Sequence, residues 1–168
     1  DLEVFCLQKN LKPYNSALGA VDIALLDGLG KLEQQPASSY LGPLLRSATT
    51  YSISVPFLPA EQIRQLYLRF RRYAFTHLKV LVGKDLAWNT DRVGLLRSLF
   101  GEGVDIRIEV NGKWDYEQAM ANIKALKKFR ISAVEQPLPA HDIEGQRRFR
   151  EECGIRVVAD ESFCTLPD

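Results

Sequence analysis

From Tyr51 onward, short runs of β-branched and other apolar residues alternate with longer stretches whose apolar positions repeat at helical spacing. The short runs are Tyr51 to Val55, His77 to Val82, Val104 to Val110, Ile131 to Gln136 and Ile155 to Asp160, and they predict strands. Between them, Ile63, Leu66, Tyr67 and Phe70 line one helix face, and Val93, Leu96 and Phe100 line a second. Tyr116, Met120, Ile123 and Leu126 line a third, which Asp115 caps, while a fourth helix, Asp142 to Cys153, is more polar. Strand and helix alternating roughly every 25 to 30 residues imply a parallel sheet joined by right-handed crossovers. Upstream, residues 1–14 read as irregular. From Asn15 and Ser16, the spacing of Leu18, Val21, Ala24, Leu25 and Leu29 predicts a capped, well-buried helix that Gly30 helps to end. Gln34 to Gly42 has no clear period and reads as a connection, so a boundary is placed near Leu45, dividing 1–45 from 46–168.

Periodicity alone does not separate a closed barrel from a doubly wound sheet, but the strand faces do. In the third strand, Ile106, Ile108 and Val110 alternate with Arg107, Glu109 and Asn111, giving one apolar and one polar face. A strand covered by helices on both sides should be apolar on both faces, whereas a barrel strand can turn polar on its inner side near the C-terminal mouth. The second strand sets His77, Lys79 and Leu81 against Leu78, Val80 and Val82, which points Lys79 inward. A doubly wound nucleotide-binding domain is disfavoured further, because Gly83-Lys84 is followed by Asp85 and makes no phosphate loop. The fold class expected is therefore α/β, a partial (β/α)8 barrel of about five βα units.

On this reading three consecutive strands each bring one carboxylate to the C-terminal end: Glu109, Glu135 and Asp160. Any one alone reads equally well as the polar residue that follows a strand or as the cap of the next helix. Three at matched depth repel one another unless a cation lies between them. Oxygen-only ligation selects a hard ion, Mg2+ or Mn2+.

Composition narrows the partners. The 168 residues are 46% hydrophobic and 26% charged, with 22 Lys and Arg against 21 Asp and Glu, so no net field points to nucleic acid or to a membrane surface. Arg69, Arg71 and Arg72 read as a solvated helix face. Cys6, Cys153 and Cys164 lack metal spacing and read as packing residues of a reducing compartment. With no apolar run long enough to span a bilayer and no signal-peptide pattern, a cytoplasmic location is expected. His77 and His141 stand alone and receive no role.

The runs Glu109-Val-Asn111-Gly-Lys-Trp, Val134-Glu135-Gln136-Pro137 and Ala159-Asp160-Glu161-Ser162 resemble the metal-ligand motifs of the enolase superfamily, in its mandelate racemase and muconate lactonizing enzyme branch. Ala20 to Asp27 with Gly30-Lys31 is similar to the helix joining that family's capping domain to its barrel, and Thr50 to Ser54 to its first barrel strand. The wording is nearest to dipeptide epimerases. The resemblance implies that residues 1–45 end a capping domain and that 46–168 begin the barrel. It also implies proton abstraction next to the carboxylate of a small substrate, with Glu109, Glu135 and Asp160 on the metal, Asn111 and Glu161 behind them or on substrate, and Lys79 as an auxiliary, electrostatic lysine. Homo-oligomers are common among such relatives.

Two residues depart from the pattern. Lys79-Val80-Leu81 stands where the family has Lys-x-Lys, so a leucine replaces the proton-transferring lysine, and Glu109 stands where aspartate is usual. The enzyme implied is an isomerase of the dipeptide epimerase or racemase kind or a one-base lyase of the o-succinylbenzoate synthase kind; Leu81 leads to an expectation of weak or absent epimerisation, and the alternative is a non-catalytic barrel that binds or assembles. A full barrel of this type takes about 250 residues, so the chain reads as part of a longer one, with open barrel edges and doubtful activity alone.

Overall fold

A computed structural model describes residues 15–164, which fall into two units divided between Thr49 and Thr50. The readings made for residues 1–14, Cys6 included, lie outside the described residues.

In the first unit, helix α1 spans Asn15–Glu33 and a 3-10 turn spans Ala37–Tyr40. The helix does not end at Gly30. Gln34 takes the left-handed conformation, with φ of 56°, and the amide of Gln35 donates back to the Gly30 carbonyl at 2.9 Å, which closes the helix with a Schellman-type bond. Gly30 is needed for another reason: a Cβ there would lie 2.6 Å from the Gln35 carbonyl oxygen. The expectation that α1 is well buried is also corrected, since Val21, Ile23, Leu25, Leu29 and Leu32 are all exposed. The apolar spacing is present, but nothing among the described residues of this unit covers the stripe.

The second unit begins with β1 (Ile53–Val55), α2 (Ala60–Phe70), β2 (His77–Leu81) and α3 (Leu86–Phe100). It continues with β3 (Asp105–Glu109), α4 (Tyr116–Leu126), β4 (Ile131–Glu135), α5 (Ile143–Cys153) and β5 (Arg156–Val158). The five strands form one parallel sheet in the order β1-β2-β3-β4-β5. A doubly wound sheet reverses its strand order at a switch point; sequential order with right-handed crossovers keeps every helix on one side, as in a barrel wall. Consistent with this, α3 packs on α2, α4 on α3 and α5 on α4.

The core lies between this wall and the helices. Leu78, Val80, Ile106, Ile108, Val110 and Val134 point outward into it and meet Val93, Leu96, Ile123, Leu126 and Phe149. Asp115 caps α4 through a reciprocal capping box with Gln118, and Asp85 and Asp142 cap α3 and α5. The strands at the sheet edges are shorter than their apolar runs. β1 covers three residues, and β5 ends at Val158, so Asp160 falls in the following turn rather than on the strand. Residues of β5 are largely exposed, because no strand pairs with its outer edge among the described residues. Cys153 is buried, as a packing residue should be, whereas Cys164 is exposed.

Polar groups behind the sheet also fix its loops. Asn89 is fully buried on α3: its Nδ2 donates to the Gly83 carbonyl and to Asn122 Oδ1 on α4, both at 2.8 Å, while its Oδ1 accepts from the Gly83 amide at 2.9 Å. Trp114 Nε1 donates to the same Gly83 carbonyl at 2.7 Å. The turn after β2 is thus held by Asn89 of α3, itself bonded to α4, and by Trp114 from the segment after β3.

Candidate metal centre

Alternation puts Lys79, Arg107, Glu109, Ala133 and Glu135 on the inner side of the wall. The pairing of β3 with β4 shifts register between Ile106 and Arg107, so Ile106 faces Ile131 while Arg107 faces Ala133, and Ser132 is the extra residue. Beyond this bulge the strands run in step, and Leu81, Glu109 and Glu135 form one row across β2, β3 and β4. Val158 continues the row on β5, and Asp160 follows two residues later.

One carboxylate oxygen from each of Glu109, Glu135 and Asp160 lies within 4.8 Å of the others. Burial falls across the set, with Glu109 buried at 2% exposure, Glu135 half-buried and Asp160 exposed. Lys79 Nζ, from the layer below, donates to Glu109 Oε2 at 2.8 Å and to Glu135 Oε1 at 2.9 Å. Two like charges side by side on paired strands are unfavourable, and an ammonium shared between them offsets the repulsion.

Titration follows this geometry. Burial raises the Glu109 carboxyl above its ordinary value; the hydrogen bonds from Lys79 and the Asn111 amide pull it back without cancelling burial and the neighbouring Glu135. Glu135 is raised by burial too, but Lys79, the bond shared with Glu109 and the charges of Lys79 and Arg107 outweigh this, and its pKa is lowered. Of the two, the more buried Glu109 is therefore the one that takes up a proton first as the pH falls. Burial lowers Lys79, yet the two glutamates more than reverse this and hold it charged.

The donor set suits a hard divalent cation: three carboxylates, no sulfur and no imidazole, two of the three already sharing one positive charge. Asn111 and Glu161, from the turns after β3 and β5, meet through Asn111 Nδ2 donating to Glu161 Oε1 at 3.2 Å. Asn111 adopts a left-handed φ of 53°, and its amide donates to Glu109 Oε1 at 3.1 Å, so this turn also orients Glu109. His77 lies at the opposite end of β2, bonded to Thr76. Sequence reasoning passed over Gln136 except as part of a motif. The available signal was an uncharged amide ending a strand that should be buried.

Residues 60–168 match a family described as Enolase C-terminal domain-like. The 3,6-anhydro-alpha-L-galactonate cycloisomerase of Streptomyces coelicolor is 30% identical over 155 residues, covering 91% of this chain and 43% of the relative. The L-talarate/galactarate dehydratase of Salmonella typhimurium is 30% identical over 153 residues, covering 89% and 38%. A solved mandelate racemase/muconate lactonizing family protein from Azoarcus sp. EbN1 superposes with a TM-score of 0.76 at 34% identity, covering 84% of this chain and 38% of that one. A dipeptide epimerase from Enterococcus faecalis V583, complexed with Mg and the dipeptide L-Leu-L-Tyr, gives 0.76 at 28%, covering 86% and 40%. The chain spans less than half the length of each of these relatives.

Proposed function

The chain belongs to the enolase C-terminal domain-like family, and from that premise we propose that it forms the metal-binding part of an enzyme that removes a proton from the carbon next to a substrate carboxylate. The observation that carries this reading is the convergence of Glu109, Glu135 and Asp160 within 4.8 Å at adjacent strand ends. These three residues would hold Mg2+ or Mn2+. When bound, the cation supplies a fixed positive charge that stabilises the negative charge developing on the substrate carboxylate. The protein's own groups prepare for the same event. Lys79 stays protonated beside the two glutamates, which suits it to electrostatic support of an anionic substrate and not to service as a base. Asn111 orients Glu109, and with Glu161 it borders the place where substrate would enter.

Leu81 decides between reactions. It occupies the same row as Glu109 and Glu135, and its side chain transfers no proton. Inversion of a stereocentre needs proton donors on both faces of the substrate; elimination or cycloisomerisation needs one. The reading favoured is thus a one-base lyase or isomerase acting on a small carboxylate. Leu81 also favours a second reading, a barrel that keeps the metal site and binds or assembles without catalysis. Titration of Mg2+ by calorimetry tests the common premise: wild type should bind and Glu135→Gln should not, and equal behaviour of the two would reduce the carboxylates to ordinary strand-end residues.

A further inference from the structure

Gln136 directly follows Glu135, is fully buried, and takes a left-handed φ of 37°. A residue other than glycine holds such a conformation only when its surroundings fix it. Here its side chain supplies the fixing. Gln136 Oε1 accepts from the Asp160 amide at 2.9 Å, the Ser162 amide at 3.1 Å and Ser162 Oγ at 3.0 Å. Its Nε2 donates to the Leu138 carbonyl at 3.0 Å. Just one orientation of the amide satisfies this set, because backbone N–H groups need an acceptor and a carbonyl needs a donor. The backbone of the same residue reaches to both sides: its carbonyl accepts from the amide of Gly112, in the turn after β3, at 2.7 Å, and its amide donates to the carbonyl of Val158 on β5 at 2.9 Å.

Asp160 stands outside β5, so the sheet ladder does not locate it. We propose that Gln136 is the positioning residue of the metal centre: its amide clamps the Asp160–Ser162 turn onto the end of β4, and its carbonyl ties in the Asn111–Gly112 turn that orients Glu109. The ligand from β5 is thereby set against those from β3 and β4 by a residue that need not touch the cation. The inference rests on the metal-site reading above, and it assigns the third ligand's placement to a side chain instead of to strand pairing.

The test uses the intact protein, Gln136→Met and the milder Ser162→Ala, which removes one donor from the clamp and leaves the glutamine. Circular dichroism establishes that each is folded. Mg2+ affinity by calorimetry should drop about tenfold or more in Gln136→Met, as for residues that orient metal ligands, and less in Ser162→Ala. Hydrogen exchange without metal should speed up at the Asp160 amide in both variants and at Ser162 in Gln136→Met, while the Val82 amide, bonded to the Glu109 carbonyl at 3.0 Å, keeps its rate. Unchanged exchange at Asp160, or equal Mg2+ affinity in wild type and Gln136→Met, overturns the inference. Failure of wild type itself to bind Mg2+ overturns the metal reading and this inference with it. A residue that merely stabilised the fold would lower the melting temperature and leave the affinity of the folded protein unmoved.

Discussion

Glu109 is a buried carboxyl facing a second carboxyl from one neighbouring strand and an ammonium from the other. Its raised pKa means that acid protonates Glu109 sooner than an ordinary carboxyl, and because a metal would take the carboxylate form, that proton would compete with the cation. The sign follows: lowering the pH through the raised Glu109 pKa refills the proton and weakens metal binding, whereas Glu135, with its pKa lowered, stays ionised further into acid. We expect Mg2+ affinity to fall with pH in this range. Within that acid range, calorimetry in buffers of different ionisation enthalpy should register proton release, and heats that do not depend on buffer there would contradict it. Lys79→Met leaves the two carboxylates uncompensated and should cost roughly 1 to 3 kcal/mol of metal-free stability, of the order reported for breaking charged hydrogen bonds. Saturating Mg2+ should restore part of this in urea unfolding. An unchanged urea midpoint would show that the ammonium does not offset the pair. The identities of Lys79 and Glu109 as inward residues were legible from period-two alternation. Their contact was not, because alternation tells which way a side chain faces and not how far it reaches.

Among the elements, the parallel order and the outward core were written in the apolar pattern, and so was the Asp115 cap of α4. Three features were not. The extra residue at Ser132 puts Glu135 in step with Glu109, yet a bulge leaves no mark in a run that is apolar on either side of it. Gly30 has the composition of a helix stop but serves close packing inside α1, since the true stop is the left-handed Gln34. Asn89 sits at a position that polarity alone assigns to solvent, and its burial depends on Gly83 and Asn122 arriving from other elements. Asn89→Ala would strand the Gly83 amide and Asn122 Oδ1 without these partners, and we expect a loss of roughly 2 to 4 kcal/mol in urea unfolding. Asp115→Ala removes a cap at an exposed position and should cost about 1 kcal/mol. A reversal of that order would mean that the loop after β2 is held by packing and not by the Asn89 network.

For the whole molecule, the proposed reaction makes stereochemistry the property to which both sides of the barrel would contribute. The sheet β1 to β5 forms one side, and the β2 row that could serve one face of a substrate ends in Leu81. Lys79, one layer below, is held charged by Glu109 and Glu135, so it can donate a hydrogen bond to a carboxylate but is a poor acceptor of the substrate proton. On the proposed one-base reading, whatever group acts from the opposite face would remove a proton from one enantiomer and not from its mirror image. Separate incubation of each enantiomer of a small carboxylate substrate in deuterated water, followed by proton NMR, should therefore show α-proton exchange in at most one of the two. Leu81→Lys, which adds a titratable amine to the carboxylate row, should extend exchange to the other enantiomer if the opposite face is competent. Exchange of both enantiomers by the wild-type protein would place a base on the β2 side that Leu81 does not allow, and the one-base reading would fall. Exchange of neither, with Mg2+ binding intact, would favour the non-catalytic reading, because the metal site would then persist without a proton acceptor on either side.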